Sequence, residues 1–104
     1  MTKLATLTCL LLFPFGSAHA QWVLQTPIEL IHVNPNGNIY LKVGAATPNL
    51  NCPGYVSGWL QLDLAAPNFK SQYAAALTAK AAGKLVNVYV SGCGYYPYAQ
   101  NFEF

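Results

Sequence analysis

From Trp22 onward the chain is a succession of short apolar runs whose spacing changes from period two to helical and back again. Trp22, Val23, Leu24, Ile28, Leu30, Ile31 and Val33 form the first run, interrupted by Pro27. Proline has no N–H for a ladder, so that break predicts an edge position or a bulge. Asn34-Pro35-Asn36-Gly37-Asn38 follows, and Asn-Gly between two apolar runs is a hairpin signal. The return strand alternates Ile39, Leu41 and Val43 with Tyr40 and Lys42. The stretch 45–55 is rich in Pro, Asn and Gly and reads as a loop that contains Cys52. A third strand is expected over roughly 56–64, with Leu60, Leu62 and Leu64 on one face and Trp59, Gln61 and Asp63 on the other.

Pro67 and Asn68 then mark a helix start, Asn68 being a favourable N-cap. Phe69, Tyr73, Ala76, Leu77 and the alkyl stem of Lys80 recur at helical spacing, and Gly83 is placed to close the helix. Beyond it Val86, Val88 and Val90 alternate with Leu85, Asn87 and Tyr89 up to Cys93, and glycines 92 and 94 allow a tight turn. Tyr96 and Tyr98, then Phe102 and Phe104, alternate with small or polar residues as a last strand. The order is β-β-β-α-β-β, a mainly β, α+β chain with the element sequence of a small OB-like five-stranded barrel. Other small α+β folds share that order. If the leucines and valines face inward, alternation sends Tyr40, Trp59 and Tyr89 outward beside Lys42, Gln61, Asp63 and Asn87.

The first twenty residues follow a different rule. Lys3, the apolar run Leu10–Phe13 and the ending Ser17-Ala18-His19-Ala20 match a cleavable signal peptide, which predicts export to the periplasm or beyond the cell. That apolar run is too short for a membrane span, which takes roughly 20 residues. The remaining domain, 21–104, would be near neutral, with four lysines against three acids and no arginine. Such a balance lacks the cationic footprint of a nucleic-acid binder.

Cys52 and Cys93 are the cysteines outside the signal segment, and in an oxidising compartment an even pair reads as one disulfide. Free thiols and a metal pair are the alternatives. With no CxxC and only His32 outside the signal segment, a zinc site is disfavoured and no metal or cofactor is expected. So short a domain buries only roughly 60% of its unfolded surface, and a closed loop of this size would contribute roughly 4 kcal/mol. Catalysis finds little support either. His32 and the acids Glu29, Asp63 and Glu103 form no recognisable nucleophile, base and orienting-acid set, and Glu29 and His32 would lie on opposite faces of one strand.

The run Trp59-Leu60-Gln61-Leu62-Asp63-Leu64, the helix Tyr73–Lys84 and the strand Val86-Asn87-Val88-Tyr89-Val90 leading to Cys93 resemble the helix-to-strand core of the B subunits of subtilase cytotoxin and the pertussis-like toxins. That resemblance covers about half of the chain after the signal. It implies an OB-fold, a ring of five copies and binding of cell-surface glycans. In that family a hydroxyl residue early in the first strand and a tyrosine near the end of the penultimate strand help to hold sialic acid. The matching positions carry Thr26, which keeps a hydroxyl, and Val90, which has no phenol although Tyr89 adjoins it on the other face.

Trp59 and Tyr89 on outward strand positions, and Tyr95, Tyr96 and Tyr98 after Cys93, join Thr26 as candidate ligand residues. Tyr and Trp combine a large apolar body with a polar tip, which suits a sugar face or another subunit. Ordinary cross-strand packing, and for 95–98 a lid over one barrel end, are the alternative roles. Ala74, Ala75, Ala79 and Ala82 give the helix a small face that would let neighbouring copies approach, high helix propensity being the alternative reason for these alanines. The expectation is thus an exported, non-enzymatic binder of a glycan or protein, able to form a homo-oligomer. An envelope structural or interaction protein without a carbohydrate site is the second reading.

Overall fold

The computed structural model describes residues 20–104; the expected export signal lies outside the described residues except for Ala20, the first residue of β1. The elements are β1 (Ala20–Val33), β2 (Ile39–Val43), β3 (Trp59–Leu62), α1 (Phe69–Ala82), β4 (Leu85–Cys93) and β5 (Pro97–Glu103). The sheet closes into a barrel in the order β1-β2-β3-β5-β4. The β3–β5 pair is parallel and every other pair is antiparallel. This is the five-stranded OB-like barrel, with its helix between the third and fourth strands.

Closure depends on the length of β1. Its first half, Ala20–Pro27, pairs with β4, and its second half, from Ile28 to Val33, pairs with β2. Between the matches Val23↔Val88 and Thr26↔Val86, Leu24 and Gln25 oppose the single residue Asn87. Gln25 takes a positive φ of 52°, and its N–H donates to Asn87 Oδ1 at 2.9 Å. A bulge of this kind bends a strand and sharpens its twist, which lets one segment serve two neighbours. Pro27 follows two residues after Gln25, and the Pro27 carbonyl accepts the Gly44 N–H at 3.1 Å.

Leu41, Val43, Leu60, Leu62, Val86, Val88 and Val90 fill the interior, as their alternation predicts. The helix contributes Ala76 and Ala79, both fully buried. Ala79 therefore belongs to the protein's own core, while Ala74 and Ala82 are exposed. Leu77, expected on the apolar side, points outward instead, because the face turned to the barrel is centred on Ala76 and Ala79 and flanked by Phe69 and Tyr73. Asn68 makes no side-chain cap; its carbonyl accepts the Gln72 N–H at 3.0 Å. The other end follows expectation. Gly83 sits at φ 66°, and the bonds Gly83 N–H to Lys80 O and Lys84 N–H to Ala79 O complete a Schellman closure.

β3 is shorter than its pattern suggests. Asp63 leaves the ladder in a turn, its Oδ1 accepting the Ala65 N–H at 3.0 Å, so Leu64 is 42% exposed rather than inside. The disulfide joins Cys52, in the loop before β3, to Cys93 at the end of β4, with Cα atoms 5.4 Å apart. The loop it anchors is ordered by its own polar groups. Tyr55 OH donates to Thr47 O at 2.6 Å, and Gly58 N–H donates to Thr47 Oγ1 at 3.0 Å. Among the described residues no helix is long and apolar enough to cross a membrane.

Candidate functional site

The outer surface of β2 and β3 carries the densest group of aromatic rings. Lys42 pairs with Trp59 and Tyr40 with Gln61 across the two strands, so all four side chains leave the barrel on the same face. The β4–β5 loop then folds across this face and adds Tyr95 and Tyr96. Tyr96 is the hub. Its ring lies 5.8 Å from Trp59 in a stacked pair and meets Tyr40 edge-on at 5.1 Å and Tyr95 edge-on at 5.0 Å. His32 extends the row by stacking on Tyr40 at 6.2 Å, and its Nε2 lies 2.9 Å from Asn34 Oδ1. Edge-on and offset contacts at these separations are the favourable arrangements for π-systems.

Two features fix the loop in this position. Gln61, an outward residue by alternation, is only 6% exposed because the loop covers it. Its Oε1 accepts the N–H of Tyr95 at 2.8 Å and that of Tyr96 at 3.2 Å. One buried amide thereby satisfies two main-chain donors that would otherwise be stranded. The second feature is the disulfide loop. Gly54 N–H donates to Tyr95 O at 2.8 Å, and the Tyr95 ring lies so close to Gly54 that a β-carbon there would overlap it. Only glycine lets the backbone approach a ring in this way. The Cys52–Cys93 bond holds the two segments together from the adjoining positions.

The electrostatics of the cluster are those of a half-dry, neutral surface. The Tyr96 phenol is held above its ordinary value of about 10, first by burial and then by the neighbouring Tyr95 and Tyr40 phenols. Lys42 Nζ lies 3.3 Å from Glu29 Oε1 and donates to Val43 O at 3.0 Å.

The candidates from the sequence fall into four places. Trp59, Tyr95 and Tyr96 come together, joined by Tyr40 and His32, which alternation alone does not connect to the loop. Tyr89 lies elsewhere, between β4 and β1, where its ring meets Trp22 at 5.2 Å. Tyr98 stands on β5 opposite Gln61, against Gly92. Thr26 is fully buried, and its Oγ1 accepts the Ala45 N–H at 2.9 Å, so its hydroxyl ties β1 to the chain after β2 rather than facing solvent. Tyr95 and Tyr96 cover the outer wall of β2 and β3, not an open end of the barrel.

Acidic and basic groups are dispersed. Asp63 Oδ2 accepts from Gln100 Nε2 at 3.4 Å, Glu29 is paired with Lys42, and Glu103 stands opposite Asn87 at the far end of β5. Among the described residues no three His, Cys, Asp or Glu side chains gather as a metal ion requires.

Compared with protein-family models, curated proteins and solved structures, the chain matches none.

Proposed function

We propose that the protein is an exported, non-catalytic binding domain whose β2–β3 face and β4–β5 loop hold a carbohydrate. The observation that carries this reading is the convergence of Tyr40, Trp59, Tyr95 and Tyr96 on one wall of the barrel. The β2–β3 face and the loops β1–β2 and β4–β5 are where OB-folds take oligosaccharides and oligonucleotides. A nucleic acid is the poorer fit, since phosphate binding draws on clustered Lys and Arg and this chain has no arginine. A sugar ring offers an apolar C–H face edged by hydroxyls, which matches ring faces edged by phenols. The signal-like first twenty residues and the disulfide support an oxidising, extracytoplasmic destination. The non-catalytic reading rests on Glu29, His32 and Asp63, each of which has its own separate partner.

The resemblance to toxin B subunits adds a ring of five copies and a cell-surface glycan to this proposal. A glycan array with the full exported chain, Trp59→Ala and Tyr96→Ala tests it. Retention of defined glycans by the parent and its loss in both variants is the expected result; no retained glycan at high protein concentration refutes the reading. A second reading, an envelope interaction protein, is favoured by Trp22, Leu24, Leu30, Val33 and Leu85, apolar residues of β1 and β4 that are exposed. Size measurement in solution bears on it. A discrete pentamer supports the toxin-like assembly, and a monomer that binds no glycan supports the interaction protein.

A further inference from the structure

We infer that the aromatic wall of β2 and β3 selects neutral sugars and rejects acidic ones, an inference that rests on the carbohydrate reading and narrows its ligand class. Four observations converge on it.

The first is the fate of the nearest cation. Among the described residues the lysines are Lys42, Lys70, Lys80 and Lys84, of which the last three belong to α1 and the residue after its cap. Lys42 alone stands beside Trp59, and its ammonium is turned onto Val43 O and Glu29 Oε1. A sugar carboxylate would find that charge already matched. Secondly, Glu29, the partner that neutralises Lys42, stands half exposed, so a ligand carboxylate would have to displace one anion to reach that ammonium.

The third observation concerns main-chain donors. Consecutive N–H groups in a turn commonly form an anion-binding nest. Here the N–H groups of Tyr95 and Tyr96 both end on Gln61 Oε1, so the loop that frames the site has none of its own to offer an oxyanion. Finally, Tyr96 shares the surroundings a ligand would enter, between the Tyr40, Trp59 and Tyr95 rings. Burial and the two adjoining phenols disfavour its anion, and the same surroundings disfavour a carboxylate brought in by a ligand. What the wall does provide is three phenol hydroxyls and the faces of Trp59 and Tyr95, the latter 55% exposed. Those groups pair with hydroxyls and C–H bonds, the equipment of a neutral hexose.

The test uses the full chain exported into an oxidising compartment, titrated at neutral pH with lactose, maltose and N,N′-diacetylchitobiose, and in parallel with 3′-sialyllactose. Binding is read from the two tryptophan indole N–H resonances. At least one neutral disaccharide is expected to bind on the order of tenfold more tightly than 3′-sialyllactose. Glu29→Gln, which removes the rim anion and frees Lys42, should narrow that ratio several-fold. Equal or tighter binding of 3′-sialyllactose by the parent overturns the inference while leaving a carbohydrate function standing. An unchanged ratio in Glu29→Gln overturns the charge argument. Absence of binding to every sugar overturns the inference and the carbohydrate reading together.

Discussion

Two walls of this barrel carry outward aromatic residues, and they are built differently. On the β4–β1 wall Trp22 and Tyr89 face each other across the ladder at 5.2 Å, and Trp22 is 42% exposed. A pair of this kind is ordinary cross-strand packing. On the β2–β3 wall the rings come from two strands and a distant loop, and a buried amide, a glycine seat and a disulfide fix that loop. Rings held in place before a ligand arrives lose little freedom on binding, which is the main advantage of a preorganised surface. The contrast teaches that exposed aromatics alone do not make a prepared surface; what holds them from behind does.

The largest expected effect comes from removing the covalent tie. Replacing both cysteines by alanine should lower the unfolding free energy by roughly 4 kcal/mol in the chain-entropy model, as chemical denaturation would measure. The Tyr95 and Tyr96 resonances should lose dispersion before those of Trp22 and Tyr89 do. If both walls loosen together, the disulfide supports the barrel as a whole and the comparison fails.

Gln61→Leu should come next. It keeps the bulk of the side chain but leaves the Tyr95 and Tyr96 N–H groups without their acceptor, at a cost of about 2–3 kcal/mol. Amide exchange at those two positions should rise sharply, and a protection pattern unchanged from the parent would show that the amide is not the clasp. A Trp22→Ala and Tyr89→Ala double-mutant cycle should return only about 0.2–1 kcal/mol of coupling, the value of a plain cross-strand pair. Coupling several-fold larger would mean that this wall is organised too.

The smallest effect is a titration. Since burial raises the Tyr96 pKa in the folded state, its contribution to stability is complete below about pH 10, the unfolded phenol value, and is lost as pH climbs through the folded one. Phenolate absorbance should show one late-titrating tyrosine in the parent that is missing in Tyr96→Phe. A late step that persists in Tyr96→Phe would show that it does not belong to Tyr96 and would contradict this placement.

Much of this architecture is legible in local pattern. Alternation at Ile39–Val43 and Val86–Val90, the Asn-Gly turn, and Gly83 after the helix each act over a few residues, and the barrel and helix follow them. The disulfide also follows the reading of Cys52 and Cys93 as an even pair. Where local rules mislead, a tertiary contact intervenes. Leu64 continues the period of Leu60 and Leu62, but the Asp63 turn carries it outside. Leu77 fits a helical stripe, yet the face that meets the barrel runs through Phe69, Tyr73, Ala76 and Ala79 and leaves Leu77 outside.

The wall of aromatic rings was half visible in the same way. Period two sends Tyr40 and Trp59 outward, and the Tyr95-Tyr96 pair is conspicuous after Cys93. Their meeting depends on the parallel pairing of β3 with β5, a contact between segments more than thirty residues apart that no short-range signal encodes. A sequence clue to it did exist. Gln61, a polar residue between Leu60 and Leu62, needed a partner if anything covered it, and Gly54 and Gly94 flanked the two cysteines where close approach was required.

The protein's two tryptophans stand one on each wall, so a single sugar titration compares them directly. With lactose, maltose or N,N′-diacetylchitobiose added to the full chain, the Trp59 indole N–H resonance should shift saturably while that of Trp22 stays fixed. Movement of Trp22 with Trp59 unmoved would contradict the account, because the ligand would then be choosing the wall with no preorganised support.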